Sequence, residues 1–478
     1  MDLNMSVNRD YKKLNYKDLI IFLIPFIIFL YYLYIYNPGI LSVDSFNQLH
    51  QIATYHFSNW HPFFHTFIEM MCLSIYPDPK SICLLQIFTF SIFWMIICKY
   101  NRADDTKFDK HFIFQVVFTL IISLIPINAI YSITLWKDIL FSYFLMFLCF
   151  LIEVMITRNK DMSYKFAFVI AITMAIISQL RHNGLIVVIV LMLFLGIYLF
   201  KKNKDKKFYI VIPALTVIFI LLISSLIVVY DVQNSPKDVV YDKTTHILAF
   251  YDLNVDMDDV DRKMVHELIT EKDIKEHFRI ISTDYTYGVA NKTAFGNNKA
   301  SYIELAVKYS LKNPFKFAEY MFESSNIIWD ITRDGGWEEY ATNIEPSKNK
   351  YFNTYNITPA ASYDDASSRN IGTQSYENLD NIVNLFKSNK ILDTLFNSPA
   401  LYMYLSLIIM GLIFIVTRSK EVLLIYLPNL LNIITVAISI PFQSVRYVYP
   451  NLLVFYLLII IFIGIIFNIK KNKITSEN

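Results

Sequence analysis

Five short polar stretches hold the residues best suited to chemistry: Asp44-Ser45-Phe46-Asn47-Gln48, Trp60-His61-Pro62, Trp136-Lys137-Asp138, Arg181-His182-Asn183-Gly184 and Arg446-Tyr447. Asp44 is of the type that serves as a general base, a carboxylate able to take a proton from a hydroxyl. Lys137, Arg181 and Arg446 each stand beside a Trp, His or Tyr, and such cations hold phosphate through charge-assisted hydrogen bonds. Cations with carboxylates close by suit a phosphate-bearing substrate and a hydroxyl acceptor. Each residue also has a plainer reading. Asp44 or Ser45 would cap a helix starting at Phe46, with Ser45 and Gln48 forming a capping box. Asp138 would suit the N-terminal end of a helix, and each cation would reach toward lipid headgroups. His61, His65 and Glu69 are spaced by four, which fits a divalent metal or the wet side of a helix in the membrane interface. Pro62 fits the first position of that helix. Trp329 and Trp337 would stack on sugar rings or pack in a core.

The elements that position these residues are apolar helices. Of 478 residues, 55% are hydrophobic and 18% charged, the mean hydropathy is +0.40, and there are only 10 glycines. A soluble protein carries about a quarter charged residues. The composition excludes a disordered chain and disfavours a soluble enzyme built on glycine-rich phosphate loops. Apolar runs such as Leu19 to Tyr36, Leu185 to Phe200 and Leu452 to Phe467 are long enough to cross a bilayer. Ten spans are predicted, at 19–36, 81–98, 111–130, 139–157, 165–180, 185–200, 208–230, 399–417, 421–440 and 451–468. The positive-inside rule orients them. Of the 43 basic residues, 21 lie in the two termini and in the loops 99–110, 158–165, 201–207 and 418–420, and one orientation puts all of these on the cytoplasmic side. Both termini are then cytoplasmic in a multi-pass protein of the cell membrane. The five polar stretches all face outward.

Three regions follow. Residues 1–230 form an N-terminal transmembrane module with a first outer loop at 37–80, in which Pro62 to Tyr76 is too short to span and reads as an interfacial helix. Residues 231–396 form an extracytoplasmic, mainly helical domain inserted before the last three spans, with helices expected over Asp258 to Phe278 and Ser301 to Ser325, the second broken at Asn313-Pro314. From Trp329 to Ser375, with Gly335-Gly336, the chain reads as irregular loop. Residues 397–478 supply the last helices and a cytoplasmic tail. The outer segment holds 18 basic and 26 acidic residues, and this acidity argues against a nucleic-acid partner. It has no cysteine; the four in the chain (Cys72, Cys83, Cys98, Cys149) lie in or beside apolar runs. No cleavable signal is apparent.

With this topology the polar stretches resemble those of the GT-C class of membrane glycosyltransferases, which use polyprenyl-phosphate-linked sugars. The resemblance rests on a first span followed by Pro38-Gly39-Ile40-Leu41-Ser42-Val43-Asp44-Ser45, on Trp60-His61-Pro62, on the Trp136-Lys137-Asp138 and Arg181-His182-Asn183-Gly184 turns, and on a late outer domain closed by more spans. It implies a GT-C-like fold and sugar transfer from a polyprenyl-phosphate donor to a cell-surface glycan or lipid, with membrane lipids around the protein. Asp44 would be the catalytic base and Lys137, Arg181 and Arg446 would hold the donor phosphate. Trp60, His61, His65, Asp138 and His182 would line the site. Many relatives carry a second acid within two residues of the base, whereas Asp44 stands alone. No cofactor is required by these residues, and a divalent metal, Mg²⁺ or Mn²⁺, is the one left open. A glycan polymerase or ligase would also need such cations. A transporter or lipid flippase is the alternative of another class, and it calls for broken or polar span centres in paired halves.

Overall fold

A computed structural model of the protein describes residues 14–102, 110–157, 162–202, 206–234, 239–332, 373–439 and 444–477. Arg9, Lys12 and Lys13 of the N-terminal anchor, much of the basic loops, Gly335-Gly336, Trp337 and most of the expected irregular stretch lie outside the described residues. Helix dominates, and only isolated bridges such as Ile40 with Thr134 and Ser58 with Gln233 occur among the described residues.

The described residues of the N-terminal module form the helices α1 (Tyr16–Ile35), α2 (Val43–Thr54), α3 (Phe63–Ile75), α4 (Lys80–Asn101), α5 (Lys110–Leu124), α6 (Pro126–Ser132), α7 (Lys137–Thr157), α8 (Tyr164–Leu180), α9 (His182–Lys201) and α10 (Phe208–Val229). Among the described residues, seven helices are long and apolar enough to cross a membrane: α1, α4, α7, α9, α10 and two near the C-terminus, Pro399–Thr417 and Pro450–Ile469. The expected span at 111–130 is a pair, α5 and α6, bent by 71° at the break before Pro126. Proline lacks a backbone donor and suits the first turn of a helix, where Pro126 opens α6. The expected spans at 165–180 and 421–440 are shorter apolar helices, α8 and Leu427–Ser439, the latter preceded by a 3-10 segment Lys420–Ile425.

α7 is the central helix. It is apolar all round and nearly every side chain along it is buried, from Ile139 to Met155. It packs against α4, α8 and the helix at 450–477, as expected of a helix hydrophobic on every face. α10 is equally apolar but peripheral, with Leu221 and Leu222 exposed. In water that face would be a liability, whereas in a bilayer it meets lipid tails.

Ion pairs mark the two ends of the bundle. At one end, where α1 starts and α4 stops, Arg102 lies 2.8 Å from the buried Asp18 and donates to Gln115 of α5. Tyr100 meets Thr157 of α7 there at 2.9 Å. At the opposite end α1 stops, α4 and α7 start, and α8 passes into α9. A parallel bridge joins the segment after α1 to the one before α7: Ile40 N donates to the Ile133 carbonyl at 2.9 Å and Leu135 N to the Ile40 carbonyl at 3.1 Å. This end carries the polar stretches.

The segment from 239 to 332 supplies α11 (Val239–Asn254), α12 (Asp259–Leu268), α13 (Glu271–His277), α14 (Asp284–Val289), α15 (Lys292–Asn297), α16 (Lys299–Lys312) and α17 (Pro314–Ser324). The helix expected over 258–278 is thus two helices, and the break at Asn313-Pro314 falls between α16 and α17. These helices bury their own core, including Leu248, Tyr251, Val265, Ile274, Tyr302 and Tyr309. The chain resumes with α18 (Gln374–Ser388), α19 (Lys390–Asn397), α20 (Pro399–Thr417), α21 (Leu427–Ser439) and α22 (Pro450–Glu477). Leu379 and Val383 of α18 belong to the core of the apolar bundle, and Tyr36 at the end of α1 donates to Asp380 at 3.2 Å. Trp329 stacks on Phe322 and its carbonyl accepts from Tyr404 of α20, which is a packing role.

Candidate functional site

Asp44 lies in the first turn of α2, whose N-cap is Ser42. The expectation that Asp44 or Ser45 caps a helix from Phe46 is therefore corrected: the helix starts three residues earlier, at Val43. Ser45 serves as the third helical residue, its hydroxyl accepting from the Ser42 amide at 3.1 Å and donating to the Leu135 carbonyl at 2.9 Å. The Ser42 hydroxyl in turn accepts from the Trp136 indole at 2.7 Å. These bonds fix α2 to the turn that opens α7, and so fix Asp44 relative to Lys137 and Asp138. With the cap supplied by Ser42, the Asp44 carboxylate is free for other partners.

Those partners are at hand. Arg446 Nη1 donates to Asp44 Oδ2 at 2.8 Å, and His61 Nε2 lies 3.7 Å from Asp44 Oδ1. Lys137 Nζ is 3.1 Å from His61 Nδ1. The fully buried Asp138, in the first turn of α7, sits among all three cations: Arg181 Nε at 3.2 Å, Lys137 Nζ at 4.0 Å and Arg446 Nε at 4.0 Å. The two arginines share Tyr447. Arg181 lies over its ring at 4.9 Å and donates to its carbonyl at 3.4 Å, while Arg446 donates to its hydroxyl at 2.9 Å. Trp136 covers Arg446 at 4.7 Å and Phe141 covers Arg181 at 5.2 Å. Residues far apart in sequence therefore converge at one end of the bundle.

The electrostatics follow from this crowding. Burial alone would raise the Asp44 carboxyl, but Arg446, Lys137 and His61 outweigh it and hold it well below the usual carboxylate range. Burial, reinforced by Lys137, pushes the His61 imidazole down to about 3, so it is neutral at physiological pH. Three cations then face two carboxylates, an excess of one positive charge. Buried charge is costly unless it is matched, and a cluster with this excess favours a bound anion.

The remaining candidates divide. His65 and Glu69 are fully buried on the inner face of α3, against the expectation that they form the wet side of an interfacial helix. α3 packs on α2, α4, α8 and α10, so the stripe faces protein. Gln48, one turn along α2 from Asp44, donates to Thr66 at 2.9 Å and lies 3.0 Å from His65 Nδ1. Burial raises the Glu69 carboxyl well above its ordinary value, and neither of its oxygens has a hydrogen-bond partner among the described residues. His61 precedes α3, whose N-cap is Pro62 and whose first residue is Phe63, so it leaves the stripe and joins the cation cluster. No group of three or more His, Cys, Asp or Glu side chains suited to a metal occurs among the described residues. Trp60 stands edge-on to His61 at 6.3 Å, and His182 is exposed beside the backbone of Asn59 and Trp60.

No family model, curated protein or solved structure matches the chain. The site is therefore read from its own chemistry. Trp136 and Tyr447, whose neighbours Lys137 and Arg446 carry the charge, act as the aromatic walls that fix both guanidinium planes. Adjacency in the sequence was their only signal, and an aromatic beside a basic residue at a helix end has many other uses.

Proposed function

We propose that the chain is a membrane glycosyltransferase that moves a sugar from a polyprenyl-phosphate donor to a hydroxyl of a glycan or lipid at the outer face of the cell membrane. The observation that carries this reading is the convergence of Lys137, Arg181 and Arg446 with Asp44 and Asp138 at one end of a bundle of apolar helices. Cations in excess suit a lipid-linked phosphate, and Asp44, whose side chain is 25% exposed, is the carboxylate within a substrate's reach. A fully buried Asp138 instead balances the cations.

In the reaction the acceptor oxygen attacks the anomeric carbon as its proton passes to Asp44. The bond from that carbon to the phosphate oxygen breaks, and the electron pair leaves with the polyprenyl phosphate. The arginines and Lys137 stabilise charge developing on the leaving phosphate. His61, neutral and between Asp44 and Lys137, holds the two apart. Residues 239–332 and α18 would shape the acceptor side. No step in this chemistry needs a metal.

One observation favours a second reading, a transporter: the bent α5–α6 pair resembles a broken span. Protein groups satisfy that break. Asn128 donates to the Ile122 carbonyl at 2.7 Å and accepts from Tyr449 at 2.9 Å.

The test is a comparison of Asp44→Asn with the parent. Asn cannot take a proton at neutral pH, while Ser42 still caps α2. Sugar transfer should fall by about a hundred- to ten-thousandfold, with the protein still inserted and folded. Near-parental transfer by Asp44→Asn would remove Asp44 from the chemistry.

A further inference from the structure

The Asp44–Arg446 pair poses a difficulty for the chemistry proposed above. A general base works best with a pKa near the working pH, yet Asp44 is clasped by a guanidinium at 2.8 Å and flanked by Lys137 and His61. The same guanidinium is one of the three cations available to a phosphate. Both demands fall on Arg446, and resting on that functional reading, we propose that Asp44 and the donor phosphate compete for it. Before the donor binds, the carboxylate occupies Arg446. The arriving phosphate takes Arg446 over and frees Asp44 to accept the acceptor's proton.

The geometry suits an exchange of partners without movement of the arginine. Trp136 and Tyr447 lie against the guanidinium at 4.7 and 4.9 Å and fix its position. Nη1 points to Asp44, Nη2 to the Tyr447 hydroxyl, and the buried Nε faces Asp138 at 4.0 Å. A guanidinium carries five N–H donors, two of them on Nη1, so an anion arriving at the exposed side of Asp44 can share Nη1 with the carboxylate before displacing it. The charge balance agrees. Three cations and two carboxylates leave one positive charge, and the phosphodiester of a polyprenyl-phosphate sugar brings one negative charge. Loading the donor neutralises the cluster, and Asp44, no longer the main partner of Arg446, becomes a stronger base. The coupling imposes an order of binding: donor first, acceptor second. It also keeps the base weak while no donor is present.

The competition is tested by binding alone, with farnesyl-phosphate-linked glucose, a phosphodiester, as the probe and the purified full chain in lipid nanodiscs. Four proteins are compared: the parent, Asp44→Asn, Arg446→Gln and the double variant. Arg446→Gln should bind more weakly. Asp44→Asn should bind about tenfold more tightly or better, because a charge-assisted hydrogen bond no longer has to be broken. In the Arg446→Gln background the gain from Asp44→Asn should largely vanish. Unchanged or weaker binding by Asp44→Asn would overturn the competition, as would an equal gain in the Arg446→Gln background, which would indicate only through-space repulsion. Asp44→Ala, which also leaves the Ser42 cap intact, provides the same comparison if the Asn variant does not fold. A parent that binds no farnesyl-phosphate-linked glucose would sink the phosphate site and the competition together. The predicted binding pattern without any sugar transfer would support the competition and refute the transferase reading.

Discussion

Asp138 and Arg181 are the pair on which the site's integrity rests. Asp138 is fully buried and Arg181 nearly so, 3.2 Å apart, and losing Arg181 leaves Asp138 with only the more distant Lys137 and Arg446, each at 4.0 Å. Arg181→Ala should therefore cost about 1.5–3 kcal/mol of stability, the loss of a hydrogen bond to a charged group, in addition to weakening donor use. Adding Asp138→Asn should recover part of that loss, a coupling of about 0.5–3 kcal/mol. Thermal unfolding of both single variants and the double variant measures this, and strict additivity would contradict the pairing. His61 gives a pH signature. Its folded pKa is pushed down to about 3, below the ordinary value of about 6.5. As pH falls below about 6.5 the unfolded chain takes up a proton that the folded one refuses, so stability declines on acidification by up to about 1.4 kcal/mol per pH unit. His61→Gln should flatten the fall in Tm between pH 7 and pH 5, and an unaltered slope would mean that His61 is not held neutral. At this scale the sequence was informative about residue type and poor about partners. Lys137, Arg181 and Arg446 stand out as cations at helix ends, but the buried Asp138 that gathers them is one of 41 acids. The Asp44 reading depended on where α2 begins, a shift of three residues that local patterns resolve badly.

The elements hold the site through close approaches that only glycine allows. Gly39 has φ +120°, and a Cβ there would lie 2.6 Å from Cys83 Sγ and 2.9 Å from the Ile133 carbonyl. It precedes the Ile40 bridge that fixes α2 against the start of α7. Gly39→Ala should cost about 1–3 kcal/mol and should weaken anion binding at the cluster. Parental stability and binding would show that the bridge does not position the site. Gly184 plays the same part between α8 and α9, where a Cβ would meet the Ile177 carbonyl at 2.2 Å. Most helices could be placed from the sequence because apolar runs are self-evident. α5 and α6 could not be separated, since Pro126 sits inside one continuous apolar stretch. The length of α3 excludes a span and suggests an interfacial helix, but its polar stripe turns inward to Gln48 and away from water. Periodicity reports which residues share a face and leaves open what that face meets.

For the whole molecule, sidedness is the prediction read most directly from sequence: basic loops inside, and the Asp44 end of the bundle outside with residues 239–332. Cysteines introduced at Ser301 and Ser476 and treated with an impermeant thiol reagent in intact cells should label at Ser301 and not at Ser476, with the parent as the blank for its own cysteines. The reverse pattern would put the cluster on the cytoplasmic side. The most direct measurement of the central claim is turnover by the purified protein in proteoliposomes supplied with a polyprenyl-phosphate sugar on the face carrying the Asp44 cluster. The account predicts consumption of the donor and release of polyprenyl phosphate by the parent. It also predicts loss of both in Arg446→Ala and Asp44→Asn, while the variants remain folded. Equal donor turnover by the parent and both variants, or none by the parent across a panel of polyprenyl-phosphate sugars and acceptors, would contradict it.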